Sequence, residues 1–344
     1  MKRSRRSLLR GLAAGAACAV VALTAAVLPR PTYAKPVSVK QHEITHFRIG
    51  KPNLHQFGPL LYLGGLEFWS GNDDFGGISG AITLDGGTSV ILATDGGYWI
   101  TADLDQTDSG KPLTLKNAQI APMLSKEGKP LHSTPQRDVE ALTLRTTGNT
   151  KHIWASYEGK GGMLVYPFPL TLDDKPEEVD LPAALKGLGN NKGIEALAAA
   201  PADSPLAGAV LLFAERGAGF DSDRPAYIIG GEQPGAFTVK RMGNFDVTDA
   251  TFTPDGDLLI LERLFTLREG LHMRIRRVDP SLIKPGAVIE GEILLAADMG
   301  YQIDNMEAIT AHKNEHGETI ITLLSDDNRF IIQRNLLLRF RLDS

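Results

Sequence analysis

The chain has 344 residues, 42% of them hydrophobic, with 36 basic and 41 acidic side chains and a net charge of −5. After the basic N-terminal start, no run of basic residues supplies a local patch, so this acidic balance argues against partnership with nucleic acid. The single cysteine, Cys18, lies in an apolar N-terminal segment predicted to be removed. The mature chain would then lack disulfides, thiolate catalysis and thiolate metal sites.

Residues 1–34 are predicted to be an export signal of the twin-arginine type. Arg5 and Arg6 stand in a basic start, an apolar stretch from Leu12 to Leu28 follows, and a small residue, Ala34, ends a plausible cleavage site. Ordinary secretion and a transmembrane anchor are the alternatives. We therefore expect a periplasmic or secreted protein with no stable membrane anchor after cleavage.

The mature chain, residues 35–344, is predicted to form one domain and to be more acidic than the precursor. The signal carries six of the 36 basic residues and none of the 41 acids, so its removal shifts the net charge from −5 to −11. A chain of this size can bury one sizeable core, and all-β domains of this length are often single.

A short segment recurs five times along the mature chain and predicts the fold. Its form is an apolar residue, an acidic or small residue, Ala or Gly, and in most copies a further apolar residue. Successive second positions (79, 140, 195, 249 and 307) are 54 to 61 residues apart. That spacing suits a propeller blade of four strands, which takes roughly 40–50 residues plus loops. The copies begin at Ile78-Ser79, Val139-Glu140, Ile194-Glu195, Thr248-Asp249 and Met306-Glu307.

Short strand-like runs bounded by Gly, Asp, Asn and Pro follow each copy, as expected for antiparallel strands. We therefore predict an all-β β-propeller with five visible blades, and the lengths of the two ends leave a sixth open. The last repeat is incomplete after the run Leu336–Leu342. The N-terminal runs Glu43–Ile49 or Leu60–Phe68 could complete it, and a ring closed by strands from both ends would have no exposed sheet edge.

A second acidic position recurs at the end of the second strand of each repeat. In an antiparallel hairpin this end lies beside the start of the first strand, so both acidic sets should meet at one mouth of the central channel. These second positions are Asp95, Glu158, Glu215, Glu262 and Asp326.

Such a group of carboxylates repels itself unless opposite charge lies nearby. A hard cation such as Ca²⁺, which takes roughly six to eight oxygen ligands, would supply that charge, and so would arginines. Ion pairs that fix blade against blade are the structural alternative. The candidate mouth residues are Glu140, Glu195, Asp249, Glu307, Asp326, Asp327, Arg216, Arg263 and Arg329. The candidate metal ligands are Glu140, Glu195, Glu307 and Asp326.

The order of these motifs resembles the phytase-like β-propellers described as having esterase-like activity of phytase. The resemblance runs from about Leu63 to Leu342, and the fourth copy, Thr248-Asp249-Ala250, departs from the Glu-Ala form. The residues that carry it are Phe75–Gly80, Asp138–Leu142, Gly193–Leu197, Leu324–Phe330, Gln333 and Leu336–Phe340.

The resemblance implies an exported hydrolase of phosphate or carboxylic esters. It also implies Ca²⁺, since calcium-dependent phytase propellers hold several metal ions with acidic side chains at one mouth. The substrate expected is a small anionic ester. Because no Ser–His or Cys–His pair is visible, a water activated by the cation would be the nucleophile. The alternative is a non-catalytic propeller that binds an envelope ligand or protein.

Overall fold

The computed structural model describes residues 33–158, 162–183, 185, 193–217, 219, 221–330 and 332–343. Residues 1–32, which carry most of the predicted export signal, lie outside this range. Among the described residues, no helix combines the length and apolar character needed to cross a bilayer. The helical elements in this part of the chain are three 3₁₀ turns, Asp85–Gly87, Leu131–Ser133 and Pro280–Leu282.

Twenty-four strands make up the rest of the regular structure. The first twelve are β1 (Lys35–Pro36), β2 (Val39–Ile44), β3 (Gln56–Phe57), β4 (Leu60–Ser70), β5 (Ile78–Leu84), β6 (Ser89–Thr94), β7 (Tyr98–Gln106), β8 (Pro112–Pro122), β9 (Val139–Thr147), β10 (Thr150–Tyr157), β11 (Gly162–Phe168) and β12 (Glu177–Val179). The others are β13 (Ile194–Ala199), β14 (Ala209–Ala214), β15 (Arg224–Gly230), β16 (Gly235–Val239), β17 (Asp246–Phe252), β18 (Leu258–Thr266), β19 (Gly270–Val278), β20 (Val288–Ile289), β21 (Glu292–Asp298), β22 (Asn305–Lys313), β23 (Thr319–Asp326) and β24 (Asn335–Leu342).

These strands form five sheets, which are the five blades of a propeller. Blades two, three and four follow the chain, as β9–β12, β13–β16 with β20, and β17–β19 with β21. Blade one is β5–β8 with β1 at its outer edge. The inner strands β5, β9, β13, β17 and β22 pack against one another in that cyclic order, and β22 packs against β5. The all-β propeller prediction is confirmed, with five blades.

Blade five combines both ends of the described chain. Its order is β22, β23, β24, β4 and β2, and β24 runs antiparallel to β4 with Leu336 opposite Glu67 and Leu342 opposite Leu60. Of the two N-terminal runs predicted to complete the last repeat, the second provides β4. The pairing places an N-terminal strand between β24 and β2, so β24 has a hydrogen-bonded partner on each side.

The core consists of five apolar clusters, one in each gap between neighbouring blades. Strands near the middle of a blade are apolar along their whole length because neighbouring blades cover both of their faces. In β14, for example, every residue from Ala209 to Ala214 is buried. Between blades one and two, Trp99 meets Tyr166 edge to face with ring centroids 5.0 Å apart.

Candidate active site at the mouth of the ring

A β-bulge lies at the start of every inner strand, at the position of the sequence repeat. In β9, for example, Val139 pairs with Tyr157 and Ala141 pairs with Ser156, so the residue between them has no partner in the ladder. A bulge turns the extra residue away from the alternation of its strand and often re-aims a side chain toward a site. The five bulged residues are Ser79, Glu140, Glu195, Thr248 and Glu307.

All five bulged residues line one cavity of about 340 Å³. The strand ends around it contribute most of the acidic side chains that the sequence predicted for a common mouth. The full lining is Ile78, Ser79, Asp95, Asp138, Glu140, Glu158, Glu195, Glu215, Arg216, Thr248, Arg263, Glu307, Asp326 and Asn328. We call this cavity the mouth.

The fourth copy of the repeat was assigned one residue too late in the sequence. Val247 pairs with Glu262 and Asp249 pairs with Leu261, so Thr248 is the bulged residue. Asp249 occupies the small-residue position of the repeat, does not line the mouth, and accepts hydrogen bonds from the backbone N–H of Ala250 and Ile309, both at 2.8 Å. Its carboxylate therefore joins blade four to blade five.

The same shift of one residue applies to the second acidic set in blade four. In blades one, two, three and five, an acidic residue at the end of the second strand lines the mouth: Asp95, Glu158, Glu215 and Asp326. The equivalent residue of blade four is Arg263. Glu262 points into the blade, where it is buried and ion-paired with Arg274 and Arg276. Blade four thus presents a neutral and a positive side chain where the other blades present mostly acids.

Burial and mutual repulsion strongly perturb the acids of blades two and three. Burial, together with the charges of Glu195, Asp138 and Glu158, raises the pKa of Glu140 to about 10. Burial also raises the pKa of Glu195 well above its ordinary value, and nearby acids add to the effect. The pKa of Glu158 is raised for the same reasons. Near neutral pH, Glu140 therefore keeps its proton unless a cation replaces it.

The two mouth acids of blade five have pKa values close to neutral. Burial raises the pKa of Glu307 to about 7, although Arg263 and Asn305 oppose the rise. Asn305 donates to Glu307 Oε1 at 2.8 Å and Arg263 Nη1 lies 3.1 Å from the same oxygen. Burial likewise raises the pKa of Asp326 to about 7, with Asp95 and Glu307 contributing. Glu307 is therefore a carboxyl group held in a fixed orientation and able to gain or lose a proton near neutral pH.

Positive charge lies on the blade-four side of the mouth. Arg263 contacts Glu307, and Arg216 contacts Asp246 at 2.9 Å and Glu215 at 3.2 Å. The Arg216 side chain is 54% exposed, so its charge is accessible to a solute. The mouth is thus divided, with excess carboxylate on blade two and guanidinium groups at blades three and four.

Two further predicted residues, Asp327 and Arg329, border the mouth without lining it. Asp327 accepts from the backbone N–H of Gly77 at 3.1 Å and from Asn335 Nδ2 at 2.7 Å, which ties blade five to the loop before β5. Arg329 Nη2 lies 3.2 Å from Asp95 and folds over Gly96, where a Cβ atom would approach that nitrogen to 2.4 Å. Both residues shape the rim between blades five and one.

Asp138, Glu140 and Glu158 form the tightest group of acids with the spacing of a cation site. One carboxylate oxygen from each lies within 4.8 Å of the others. An all-oxygen donor set of this kind suits a hard cation such as Ca²⁺. Of the four metal ligands predicted from the sequence, only Glu140 belongs to this group. The others, Glu195, Glu307 and Asp326, line the same mouth farther round the ring.

Asp138 was missed because the sequence gives it no repeated signal. It stands two residues before the bulge, and its carbonyl oxygen accepts from Glu158 N at 2.7 Å. The equivalent positions in other blades are Gly77, Gly193, Asp246 and Asn305, so no acidic pattern marks the site. The backbone hydrogen bond between Asp138 and Glu158 shows that both residues lie at the same strand end.

The fold and its mouth define a five-bladed propeller with a carboxylate-rich cavity at one end of the ring. Residues 73–329 match the family described as Phytase-like, "Esterase-like activity of phytase". That match covers most of the sequence, and the chain belongs to this family. No curated protein matches the chain.

Solved structures that are similar to this chain share little sequence identity with it. An α-L-arabinofuranosidase from Podospora anserina, solved with cellotriose, gives 13% identity and a TM-score of 0.46, covering 78% of this chain and 93% of that one. An endo-arabinase from Bacteroides thetaiotaomicron gives 10% identity and a TM-score of 0.47, covering 77% and 94%. Similarity at this level carries no argument about the substrate of the present chain.

Proposed function

We propose that the protein is an exported hydrolase of small anionic phosphate or carboxylic esters, with its active site at the mouth and Ca²⁺ as a supporting cation. The observation that carries the proposal is the convergence of perturbed carboxyl groups and two arginines on one cavity in a member of the phytase-like family. The excess of buried carboxylate makes the mouth receptive to a cation, and the arginines make it receptive to an anionic group.

Asp138, Glu140 and Glu158 are the residues that would hold Ca²⁺, because their oxygens are the closest set in the mouth. When bound, the cation would neutralise these carboxylates and polarise an oxygen of the ester. Binding displaces the proton that Glu140 otherwise keeps, since a carboxyl group coordinates hard cations in its ionised form.

Proton transfer falls to Glu307 and Glu195 in this proposal. Glu307 takes a proton from the attacking water, since its pKa of about 7 lets it act as a base near neutral pH. Glu195, whose pKa burial raises well above its ordinary value, gives its proton to the leaving oxygen. Arg216 holds an anionic oxygen of the substrate through its exposed guanidinium group, and Arg263 keeps Glu307 in place.

The direct test is hydrolysis of p-nitrophenyl phosphate and p-nitrophenyl acetate by the purified mature protein, with millimolar Ca²⁺ and with a chelator. We expect Ca²⁺-dependent release of nitrophenol from one of the two. Glu307→Gln should lower kcat by about 100-fold or more, because it removes a general base but preserves size. Glu315→Gln is the matched control, since Glu315 is exposed at the opposite end of the same hairpin.

Absence of hydrolysis of either ester under all of these conditions would refute the catalytic proposal and favour a propeller that only binds. Equal activity of Glu307→Gln and Glu315→Gln would refute the role of Glu307 while leaving the hydrolase intact.

We also propose that the sheet of blade five, which combines strands from both ends of the described chain, closes the ring. The pairing of β24 with β4 and the buried contacts of β24 with blade one support this.

A further inference from the structure

Two of the five bulged positions carry hydroxyl groups instead of carboxylates. In ring order the bulged residues of blades one to five are Ser79, Glu140, Glu195, Thr248 and Glu307. Blade one lies between blades five and two in the ring. Its bulged residue, Ser79, is uncharged and has an acidic bulged residue on each side, Glu307 and Glu140. The two hydroxyls occupy equivalent backbone positions and can be compared directly.

The hydroxyl of Thr248 has a structural partner. Thr248 Oγ1 donates to the carbonyl oxygen of Met306 at 3.0 Å. Met306 is the residue just before the bulge of blade five, so this bond links neighbouring inner strands. Thr248 is buried, and its hydroxyl is fully accounted for by the fold.

The hydroxyl of Ser79 has no partner among the described residues, although it is buried. Ser79 is 7% exposed and borders the mouth, and its Oγ makes no hydrogen bond. Leaving a buried hydroxyl unsatisfied costs about 1–3 kcal/mol. Ser79 Oγ is closed off from solvent, so a contact with a solute in the mouth requires rotation about the Cα–Cβ bond to another staggered position.

The backbone around Ser79 is held in place by close packing. A Cβ atom on the next residue, Gly80, would lie 2.7 Å from the backbone nitrogen of Leu142 in blade two. A Cβ atom on Gly77 would lie 2.1 Å from Asp95 Oδ1, and Gly77 has φ of +70°. Ser79 therefore lies at a bulge of β5 whose backbone position is set by contacts with its neighbours, which is the arrangement a binding contact needs.

We propose that Ser79 is a substrate-binding residue whose hydroxyl donates a hydrogen bond to an oxygen of the ester held in the mouth. The inference rests on the proposed function, because the ester is the occupant it assigns. A glutamate at this position, as in blades two, three and five, would repel an anionic oxygen, whereas a hydroxyl is neutral and can donate to it. Blade one, like blade four with Thr248, therefore lets an anionic group approach without facing a carboxylate at the bulge.

Ser79 acts by binding and not as a nucleophile. The chain continues from Ser79 as strand β5 to Leu84, so the strand–turn–helix geometry of a nucleophile elbow is absent here. No histidine lines the mouth among the described residues to serve as its base.

The test compares Ser79→Ala with Thr248→Val, two variants that each remove one hydroxyl from equivalent positions. For Ser79→Ala we expect an unchanged or higher Tm and a KM raised about tenfold for whichever nitrophenyl ester the wild type cleaves, with kcat nearly unchanged. For Thr248→Val, which removes the hydroxyl that donates to Met306, we expect a lower Tm. Ser79→Cys is a second variant in case Ser79→Ala folds poorly. Its thiol is similar in size to the hydroxyl but is a weak donor, so we expect the same rise in KM.

A second readout separates this inference from the proposed function. Phenylphosphonate, a phosphate-ester analogue that cannot be hydrolysed, should raise the Tm of the wild type in Ca²⁺ and raise that of Ser79→Ala much less. If the wild type cleaves an ester and the Ser79 variants keep its KM, the role of Ser79 is refuted and the hydrolase stands. If the wild type cleaves neither ester, the hydrolase is refuted. A phenylphosphonate-induced rise in Tm that is equal in the wild type and Ser79→Ala, or absent from both, refutes the binding role of Ser79. A fall in Tm for Ser79→Ala as large as that for Thr248→Val would also overturn the inference.

Discussion

Asp249 joins two blades through a buried carboxylate. Each of its two oxygens accepts one backbone N–H, one from its own strand and one from β22. Burial raises its pKa well above the ordinary value, so the two hydrogen bonds only partly offset the loss of water. The residue therefore contributes to stability and not to the charge of the mouth.

We predict that Asp249→Asn destabilises the protein by about 1–3 kcal/mol. The amide oxygen of Asn can accept from one of the two backbone N–H groups, but the amide NH₂ group would face the other, which would lose its acceptor. Chemical denaturation measures this loss. The exposed residue Asp203 provides the control, and Asp203→Asn should be nearly neutral. The Ca²⁺-induced rise in Tm should be unchanged in Asp249→Asn, and its disappearance would place Asp249 in the mouth after all.

The acids of the mouth make stability depend on pH in the direction opposite to ordinary ion-paired carboxylates. Folding raises the pKa of Glu307 from 4.5, and that of Asp326 from 3.8, to about 7. Between the unfolded and folded pKa values the native state binds more protons than the unfolded state does. The free energy of unfolding therefore falls as pH rises through this window.

In the presence of a chelator, we predict a higher Tm at about pH 5 than at about pH 8. Glu307→Gln and Asp326→Asn should flatten this dependence, because neither replacement titrates. A Tm that rises over the same interval in the wild type, or a slope unaffected by both substitutions, would show that these carboxyl groups are not protonated preferentially in the native state.

The repeat located the mouth correctly but could not fix its register in every blade. Glu140, Glu195 and Glu307 are bulged residues, and each precedes an alanine that pairs in the ladder. In blade four the acidic residue comes one position later, and a sequence pattern cannot show which residue the bulge leaves unpaired. Raised pKa values such as that of Glu140 were equally hidden, since they follow from burial by distant parts of the chain.

At the scale of elements, β24 contacts blade one through a fully buried arginine. Arg339 Nη2 donates to Gly87 O at 2.7 Å, Nη1 donates to Gly110 O at 3.2 Å and to Gln106, and Nε donates to Thr322. Burial lowers the pKa of Arg339 to about 10, so it stays charged at neutral pH. The C-terminal strand is thus tied to the first blade as well as to β4.

If blade five closes the ring, Arg339→Met should lower the free energy of unfolding by at least about 2 kcal/mol, because it leaves buried carbonyl groups unpaired. Arg341→Met is the control on the same strand. Arg341 is partly exposed and paired with Glu318 at 3.0 Å, and such pairs contribute at most about 1 kcal/mol. Equal effects of the two substitutions in denaturant unfolding would contradict a closing role for the β24 contacts.

The turn signals in the sequence predict many of the strands, because Gly and Asp mark several of the hairpins directly. Between β5 and β6, Asp85, Gly86 and Gly87 all have positive φ, as their residue types allow. The extra edge strands β1, β2 and β20 carry no such signal. They depend on pairing with distant strands, which local sequence does not encode.

For the whole molecule, the charge distribution sets what the ring can bind. The chain is acidic overall, and the mouth concentrates that acidity at one end of the channel, beside a smaller positive sector on blades three and four. The family and the five-bladed ring were predictable from the order of the motifs. The separation of acidic and positive side chains within the mouth was not predictable. It depends on Thr248 and Arg263, which occupy positions where the other blades mostly have acids, and only the strand pairing in the structure defines these positions.

Calorimetric titration of Ca²⁺ into the mature protein, repeated in buffers of different ionisation enthalpy, tests the central claim most directly. Because Glu140 has a pKa of about 10 without a cation, Ca²⁺ binding near neutral pH should release about one proton per ion. In the double variant Glu140→Gln with Glu158→Gln, both the binding heat and the proton release should be lost. The Glu315→Gln control should behave as the wild type does. A wild-type protein that shows no binding heat in millimolar Ca²⁺, or binding that releases no proton and survives the double substitution, would contradict a cation site at the mouth.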